Sequence, residues 1–246
     1  EVIPGAEAVL QQILDKIAEY ETQSQGVSET PIYDRLVKEN KFGVSQEKAD
    51  CIEGTVAELL SEAPNASDPG LLLGKIQCGK TDTFETIIGL AFDRGIDIAI
   101  VLTKGTNALV SQTIKRMQYD YRFFKKSDDL AAAATIVIED IMDNRGGFNR
   151  ARIERAKTVI VAKKETTNLK HLISIFTTKN PWMCDKRVLI VDDEADFASR
   201  NYRSVRRGVV NDDDGRPKVQ KAGLAMAKIS QQIDELRQLP KYCRYL

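Results

Sequence analysis

G-K-I-Q-C-G-K-T, from Gly74 to Thr81, and V-L-I-V-D-D-E-A-D, from Val188 to Asp196, are the two stretches on which the reading of this chain turns. The first has the G-x-x-x-x-G-K-[ST] spacing of a phosphate-holding turn. It follows the apolar run Leu71 to Leu73. It precedes Phe84, Ile87, Ile88 and Ala91 at helical spacing, with Gly95 where a helix would end. A strand–turn–helix of this kind aims backbone N–H groups at phosphate oxygens, helped by the positive end of the helix. Gly74 and Gly79 permit close backbone approach, and Gln77 and Cys78 complete the turn. Lys80 reaches the β- and γ-phosphates, and the Thr81 hydroxyl ligates magnesium. In the second stretch, Val188 to Val191 is apolar, and Asp192, Asp193, Glu194 and Asp196 follow at once. That pattern predicts a buried parallel strand with carboxylates at its C-terminal end. Asp193 is the expected magnesium residue, acting through bound water, and Glu194 the group that orients or deprotonates the attacking water. With Lys80 and Glu194 in the catalytic roles, the pair of stretches predicts nucleoside-triphosphate hydrolysis.

The rest of the chain supplies a frame for them. Five short apolar runs are predicted as buried parallel strands: Leu71 to Ile76, Asp97 to Thr103, Thr135 to Glu139, Thr158 to Ala162 and Arg187 to Val191. The stretches Asn107 to Lys126 and Asn168 to Thr178 are long enough for crossover helices. Such a sheet is expected to bring Lys80 and Asp193 to the carboxyl edge of adjacent strands. Ahead of it, Val9, Leu10, Ile13, Leu14 and Ile17 form one amphipathic stripe. Pro31 opens a second helix with Ile32, Leu36 and Val37 inward. Ser45 caps a third that turns Ala49, Ile52, Val56 and Leu59 to the sheet. Asn211 to Pro217 reads as an exposed turn, and Ala222, Ala225, Met226, Ile229, Ile233 and Leu236 restore a helical period. The fold class expected is α/β, a doubly wound and mostly parallel sheet. An N-terminal helical extension over residues 1–44 precedes an ATP-binding domain over residues 45–246.

The composition narrows the function classes. Thirty-six Lys and Arg balance 36 Asp and Glu, so no global field draws a polyanion and any such contact must come from a local patch. Three basic groups stand out. Lys115, Arg116, Arg122, Lys125 and Lys126 interleave with Tyr119, Tyr121, Phe123 and Phe124. Arg145, Arg150, Arg152, Arg155 and Lys157 form the second, and Arg200, Arg203, Arg206 and Arg207 the third. One of these is expected to grip a nucleic-acid strand. Cys51, Cys78, Cys184 and Cys243 are scattered without C-x-x-C spacing, which argues against a zinc site or disulfide framework and for a reducing compartment. His171 is the only histidine and reads as a helix-surface residue. With no apolar stretch near membrane-spanning length and no signal peptide, the expected setting is cytoplasmic, with no membrane partner.

D-E-A-D after an apolar strand, with G-K-T upstream, resembles the first RecA-like domain of superfamily-two helicases and translocases, the DEAD-box-like group, over roughly residues 45–246. The resemblance implies a P-loop RecA-like fold with ATP and Mg2+ as cofactors. It assigns Lys80 and Thr81 to the first family motif and Asp193, Glu194, Ala195 and Asp196 to the second. Asp196 then couples the nucleotide site to a neighbouring motif rather than binding metal. Gln46 sits where the family places an adenine-reading glutamine, and Thr103 and Lys104 where it touches the nucleic-acid backbone. Implied partners are nucleic acid, with DNA favoured over RNA, a second RecA-like domain outside this chain, and a nuclease or methylase of a restriction or phage-defence system. Two departures stand out. Cys78 replaces a small hydroxyl residue or glycine, and a thiol beside a helix N-terminus has a lowered pKa. The sequence also stops before the family's S/T-A-T motif, so no arginine finger is assigned. Two other readings stay open: a different class of P-loop ATPase, and a nucleotide-gated switch or scaffold without translocation.

Overall fold

The computed structural model describes residues 28–39, 45–61, 69–72, 80–104, 106–124, 135–193, 195, 209–211, 217–219 and 228–246. In chain order these form α1 (Pro31–Glu39), α2 (Gln46–Leu60), α3 (Lys80–Asp93), β1 (Ile98–Thr103), α4 (Asn107–Asp120), β2 (Ile136–Asp140) and α5 (Arg150–Arg155). Next come β3 (Lys157–Lys163), α6 (Thr166–Ser174), β4 (Arg187–Asp192), β5 (Val209–Asn211), β6 (Pro217–Val219), α7 (Lys228–Gln238) and β7 (Tyr242–Tyr245). Five strands make one sheet in the order β2-β3-β1-β4-β7, parallel at every junction. β5 and β6 pair antiparallel as a separate hairpin.

Helices cover both faces of the sheet, which explains why its strands read as unbroken apolar runs rather than as alternating ones. Ala99, Val101, Val159, Val161, Leu189 and Val191 point to one face and pack with buried residues of α1 to α4, among them Ile32, Ile52, Phe84, Ile88 and Met117. Ile98, Ile100, Ile160, Ala162, Val188 and Ile190 point to the other and meet Ile153, Leu169, Leu172, Ile233 and Leu236 of α5 to α7. In register, Ile100 lies between Ile160 and Ile190. Truncating such a side chain in a core this closed costs about 2–5 kcal/mol. The result is a three-layer α/β arrangement.

Local signals set the helix ends. Ser45 accepts from the Lys48 N–H at 3.3 Å and caps α2 as its sequence position predicts. α3 stops at Gly95, whose φ of 95° lies in the left-handed region that glycine alone adopts without strain. At the end of α3, the Asp93 carboxylate accepts from the N–H groups of Ile32 (3.1 Å) and Tyr33 (2.8 Å), so one helix caps the start of another 60 residues away. α1 then lies close on α3, because a Cβ at Gly89 would collide with Leu36.

Several expectations are corrected. The predicted strand Leu71–Ile76 does not begin where expected: Leu71 is 70 % exposed, and neither it nor Leu72 is in a strand, while residues 73–76 lie outside the described ones. β7, absent from the five predicted strands, pairs with β4 in the sheet; Tyr242 packs against one core cluster and Cys243 and Tyr245 against the other. The helix expected over Asn107–Lys126 ends at Asp120 and gives way to a 3-10 turn, Arg122–Phe124. The one expected over Asn168–Thr178 starts at Thr166 and passes into a π-turn at Ile175–Lys179. Of the turn expected over Asn211 to Pro217, the two end residues pair in the hairpin of β5 and β6, and residues 212–216 lie outside the described ones. The first amphipathic stripe, near Val9 to Ile17, lies outside the described residues.

Candidate functional site at the carboxyl edge

β4 delivers two consecutive aspartates to the carboxyl edge of the sheet, and they have different fates. Asp192, the last strand residue, is buried, and its N–H donates to the carbonyl of Leu246 at 2.8 Å. Its carboxylate pairs with the Lys164 ammonium at 2.7 Å, both side chains being 0 % exposed. It also accepts from the Tyr245 hydroxyl at 2.5 Å. Burial, then the Asp192 charge, raises the Tyr245 pKa well above the usual phenol range, so this hydroxyl remains a donor. Asp193, one residue on, is only half-buried. Its N–H donates to Leu102 of β1 at 3.0 Å, and its carbonyl accepts from Lys164 Nζ at 2.6 Å. Lys164 itself follows β3 and is tied to β1 by its N–H, which donates to Thr103 O at 2.9 Å. The ends of β1, β3, β4 and β7 are thus bound into one polar knot beneath Asp193. Sequence reasoning missed Lys164 and Tyr245. The signal for the first was the Lys163-Lys164-Glu165 that closes an apolar strand, and Tyr245 gave none.

The other expected site residues divide. Gly74, Gln77, Cys78 and Gly79 lie outside the described residues, as do Glu194 and Asp196. Lys80 opens α3, and Thr81 sits half-buried in its first turn. The segment that leads to the Gly-rich turn approaches the sheet from beyond β7, since Gly70 N–H donates to Tyr245 O at 2.8 Å. β7 therefore stands between that segment and β4, while residues 73–79, which carry the Gly-rich motif expected on a strand adjacent to β4, lie outside the described ones. This late C-terminal strand satisfies the edge of β4. Gln46 is exposed at the start of α2, and its amide donates to Asp50 at 2.7 Å, one turn along the same helix. Thr103 is 2 % exposed, which leaves Lys104, half-exposed just beyond it, as the more accessible of the two expected nucleic-acid contacts.

The first basic patch is corrected most sharply. Arg116 pairs with Asp82, with Glu85 at 3.6 Å and with Asp120 at 3.7 Å, so it is a structural cation between α3 and α4. Tyr121 and Phe124 are buried and cannot stack on bases. Glu85 is pushed up to about 10, first by burial and then by its hydrogen bond to Asp120 and that group's charge, so it holds its proton at neutral pH. Arg122 stacks on Tyr119 and Phe123, each at 4.1 Å. In the second patch Arg150 pairs with Glu154, Arg152 with Glu139 and Lys157 with Asp97. The third patch lies outside the described residues.

Among the described residues, two cavities bear on the choice of site. The larger, about 580 Å3, opens beside the amino half of β2, away from the carboxyl edge. The smaller, about 350 Å3, is lined by Asn107, Ser111, Asp140, Arg145, Lys163 and Glu165 at the carboxyl ends of β1, β2 and β3. There α4 leaves β1 for one face and α6 leaves β3 for the other. In open α/β sheets that divergence, not size, marks where ligands bind, so the smaller cavity is the better candidate. No protein-family model, curated protein or solved structure matches this chain. The site must therefore be read from its own chemistry. Among the described residues no group of three or more His, Cys, Asp or Glu could enclose a metal by itself. Asp193 and Thr81 offer hard oxygen donors, as magnesium requires when phosphates and water supply most of its ligands. No described helix is long and apolar enough to cross a membrane.

Proposed function

We propose that the chain is the ATP-binding and ATP-hydrolysing first motor domain of a DEAD-box-like, RecA-type nucleic-acid helicase or translocase. The observation that carries the reading is the placement of Asp193 at the carboxyl end of a central parallel strand. The segment entering the G-K-I-Q-C-G-K-T turn binds the same end of the sheet, one strand further out. In open α/β sheets that end is where ligands bind. In this reading the backbone of Gly74 to Gly79 and the Lys80 ammonium hold the phosphates, with Thr81 and Asp193 turned to magnesium. Magnesium supplies charge neutralisation at the phosphate oxygens. Glu194 takes a proton from the attacking water as its oxygen bonds to the γ-phosphorus. The bond from that phosphorus to the bridging oxygen breaks, and ADP leaves with the electron pair. Asp196 links this chemistry to the neighbouring motif, and Gln46 contributes adenine selectivity. A polyanion, DNA in preference to RNA, lies along the carboxyl edge near Lys104 and the 350 Å3 cavity. A second RecA-like domain, and a nuclease or methylase partner, belong to the same proposal.

A nucleotide-gated switch without translocation is the second reading, favoured by the mixed charge of that cavity, where Lys163 is already paired with Glu165 at 2.8 Å. ATP turnover measured with and without single-stranded DNA, duplex DNA and RNA separates the two. The motor reading expects polynucleotide-stimulated turnover that Lys80→Ala abolishes and Lys104→Ala blunts. Lys241→Ala, at an exposed position by the amino end of β7, should leave the stimulation intact. Turnover indifferent to every polynucleotide supports the switch, and failure to bind ATP at all ends both.

A further inference from the structure

We propose that Lys164 is a positioning residue that fixes the metal-facing carboxylate of Asp193 by clamping its peptide from inside the sheet. The inference rests on the reading of Asp193 as the nucleotide-metal residue. A lysine with a 0 % exposed side chain is rare, and a buried ion pair is poor evidence of stability, since well-packed apolar residues often serve a core as well or better. What this pair does supply is geometry. Lys164 Nζ donates to Asp193 O at 2.6 Å and binds Asp192 Oδ1 at 2.7 Å, while Tyr245 holds the other Asp192 oxygen. On the opposite side the Asp193 N–H is fixed to Leu102 O at 3.0 Å. Both backbone ends of the half-buried residue are therefore immobilised at the carboxyl edge of the sheet. Lys164 is itself anchored, through its N–H, to Thr103 O at the end of β1. Groups that orient a metal ligand in this way typically govern metal affinity by 10–100-fold.

The probe is Mn2+ in place of Mg2+, with ADP, its binding read from the EPR signal of the free ion. ADP binding without metal serves as the reference. Lys164→Met removes the clamp but strands Asp192, so the decisive protein is the Lys164→Met/Asp192→Asn double variant, which leaves no unpaired buried charge and is checked by its melting temperature. It should bind ADP alone as the parent does, and bind Mn2+ in the ADP complex roughly tenfold or more weakly. Its kcat for ATP should fall by a similar factor, with KM within about twofold, the split expected when only the metal geometry is disturbed. Lys164→Arg, which keeps donors for both oxygens, should recover part of the Mn2+ affinity. A folded double variant with parental Mn2+ affinity and kcat overturns the inference and leaves the ATPase reading standing. A parent protein whose ADP complex takes up no Mn2+ overturns both.

Discussion

Two ionic clusters with buried carboxylates sit on this scaffold, and their charges are matched differently. At the carboxyl edge, one ammonium faces one carboxylate, Lys164 against Asp192, with a neutral tyrosine hydroxyl completing the shell. Between α3 and α4, a single guanidinium, Arg116, faces three carboxylates, those of Asp82, Glu85 and Asp120. The second carries excess negative charge in a poorly solvated place, and it responds by keeping a proton on Glu85. Burial is the first cause of that raised pKa, and the hydrogen bond to Asp120 and its charge add to it.

Breaking the balanced cluster should produce the largest effect. Lys164→Met leaves Asp192 ionised and buried without its cation, which should cost about 3–5 kcal/mol in a denaturant titration. The Lys164→Met/Asp192→Asn double variant should regain most of that loss. Equal destabilisation in both proteins would show that the lysine acts through packing rather than charge.

The unbalanced cluster should reveal itself through pH. Glu85 has a folded-state pKa near 10 against an ordinary value of 4.5, so between these values the folded protein binds more protons than the unfolded chain. Stability must then fall as pH rises through that window. The limit is ~1.4 kcal/mol per pH unit for one proton, so the loss between pH 6 and pH 9 is at most about 4 kcal/mol. Glu85→Gln, which mimics the protonated acid, should flatten the slope. A variant whose unfolding midpoint keeps the parental pH dependence would place the titrating group elsewhere.

The smallest expected effects separate the two tyrosines. Tyr245→Phe removes a hydrogen bond to a charged acceptor, and Tyr121→Phe one to a backbone carbonyl, that of Glu85 at 2.6 Å. The first should cost about 2 kcal/mol and the second about 1 kcal/mol by chemical denaturation. Reversal of that order would mean that the Asp192 charge is better solvated than its burial implies.

How much of this was legible in the sequence follows from the range over which each signal acts. The strand V-L-I-V and the carboxylates after it announce themselves locally, since a strand covered on both faces must be apolar at every position and must end where the polar residues begin. Ser45, Gly95 and Pro31 likewise mark helix ends by rules confined to a few residues. β7 gave no such signal. Its tyrosines and arginine become sheet residues because Arg187 and Arg244 stack on Tyr242, and Arg244 donates to the carbonyls of Leu59 and Ser61 at the end of α2. Arg116 was misread for the same reason. A basic residue among aromatics looks like a strand-gripping patch until the fold brings Asp82 and Glu85 to it from another helix.

By itself, then, the sequence determined the layered α/β plan, the helix ends marked by Pro31, Ser45 and Gly95, and the edge of the sheet to which Asp193 belongs, because periodicity, capping and apolar runs are properties of neighbouring residues. Only the tertiary structure decided that β7 separates β4 from the segment entering the Gly-rich turn. It alone decided that Lys164 is spent inside the sheet and that Glu85 keeps its proton. Strand order and the partner of a buried charge depend on groups far apart in the chain, and their energies exist only once water has been excluded between them.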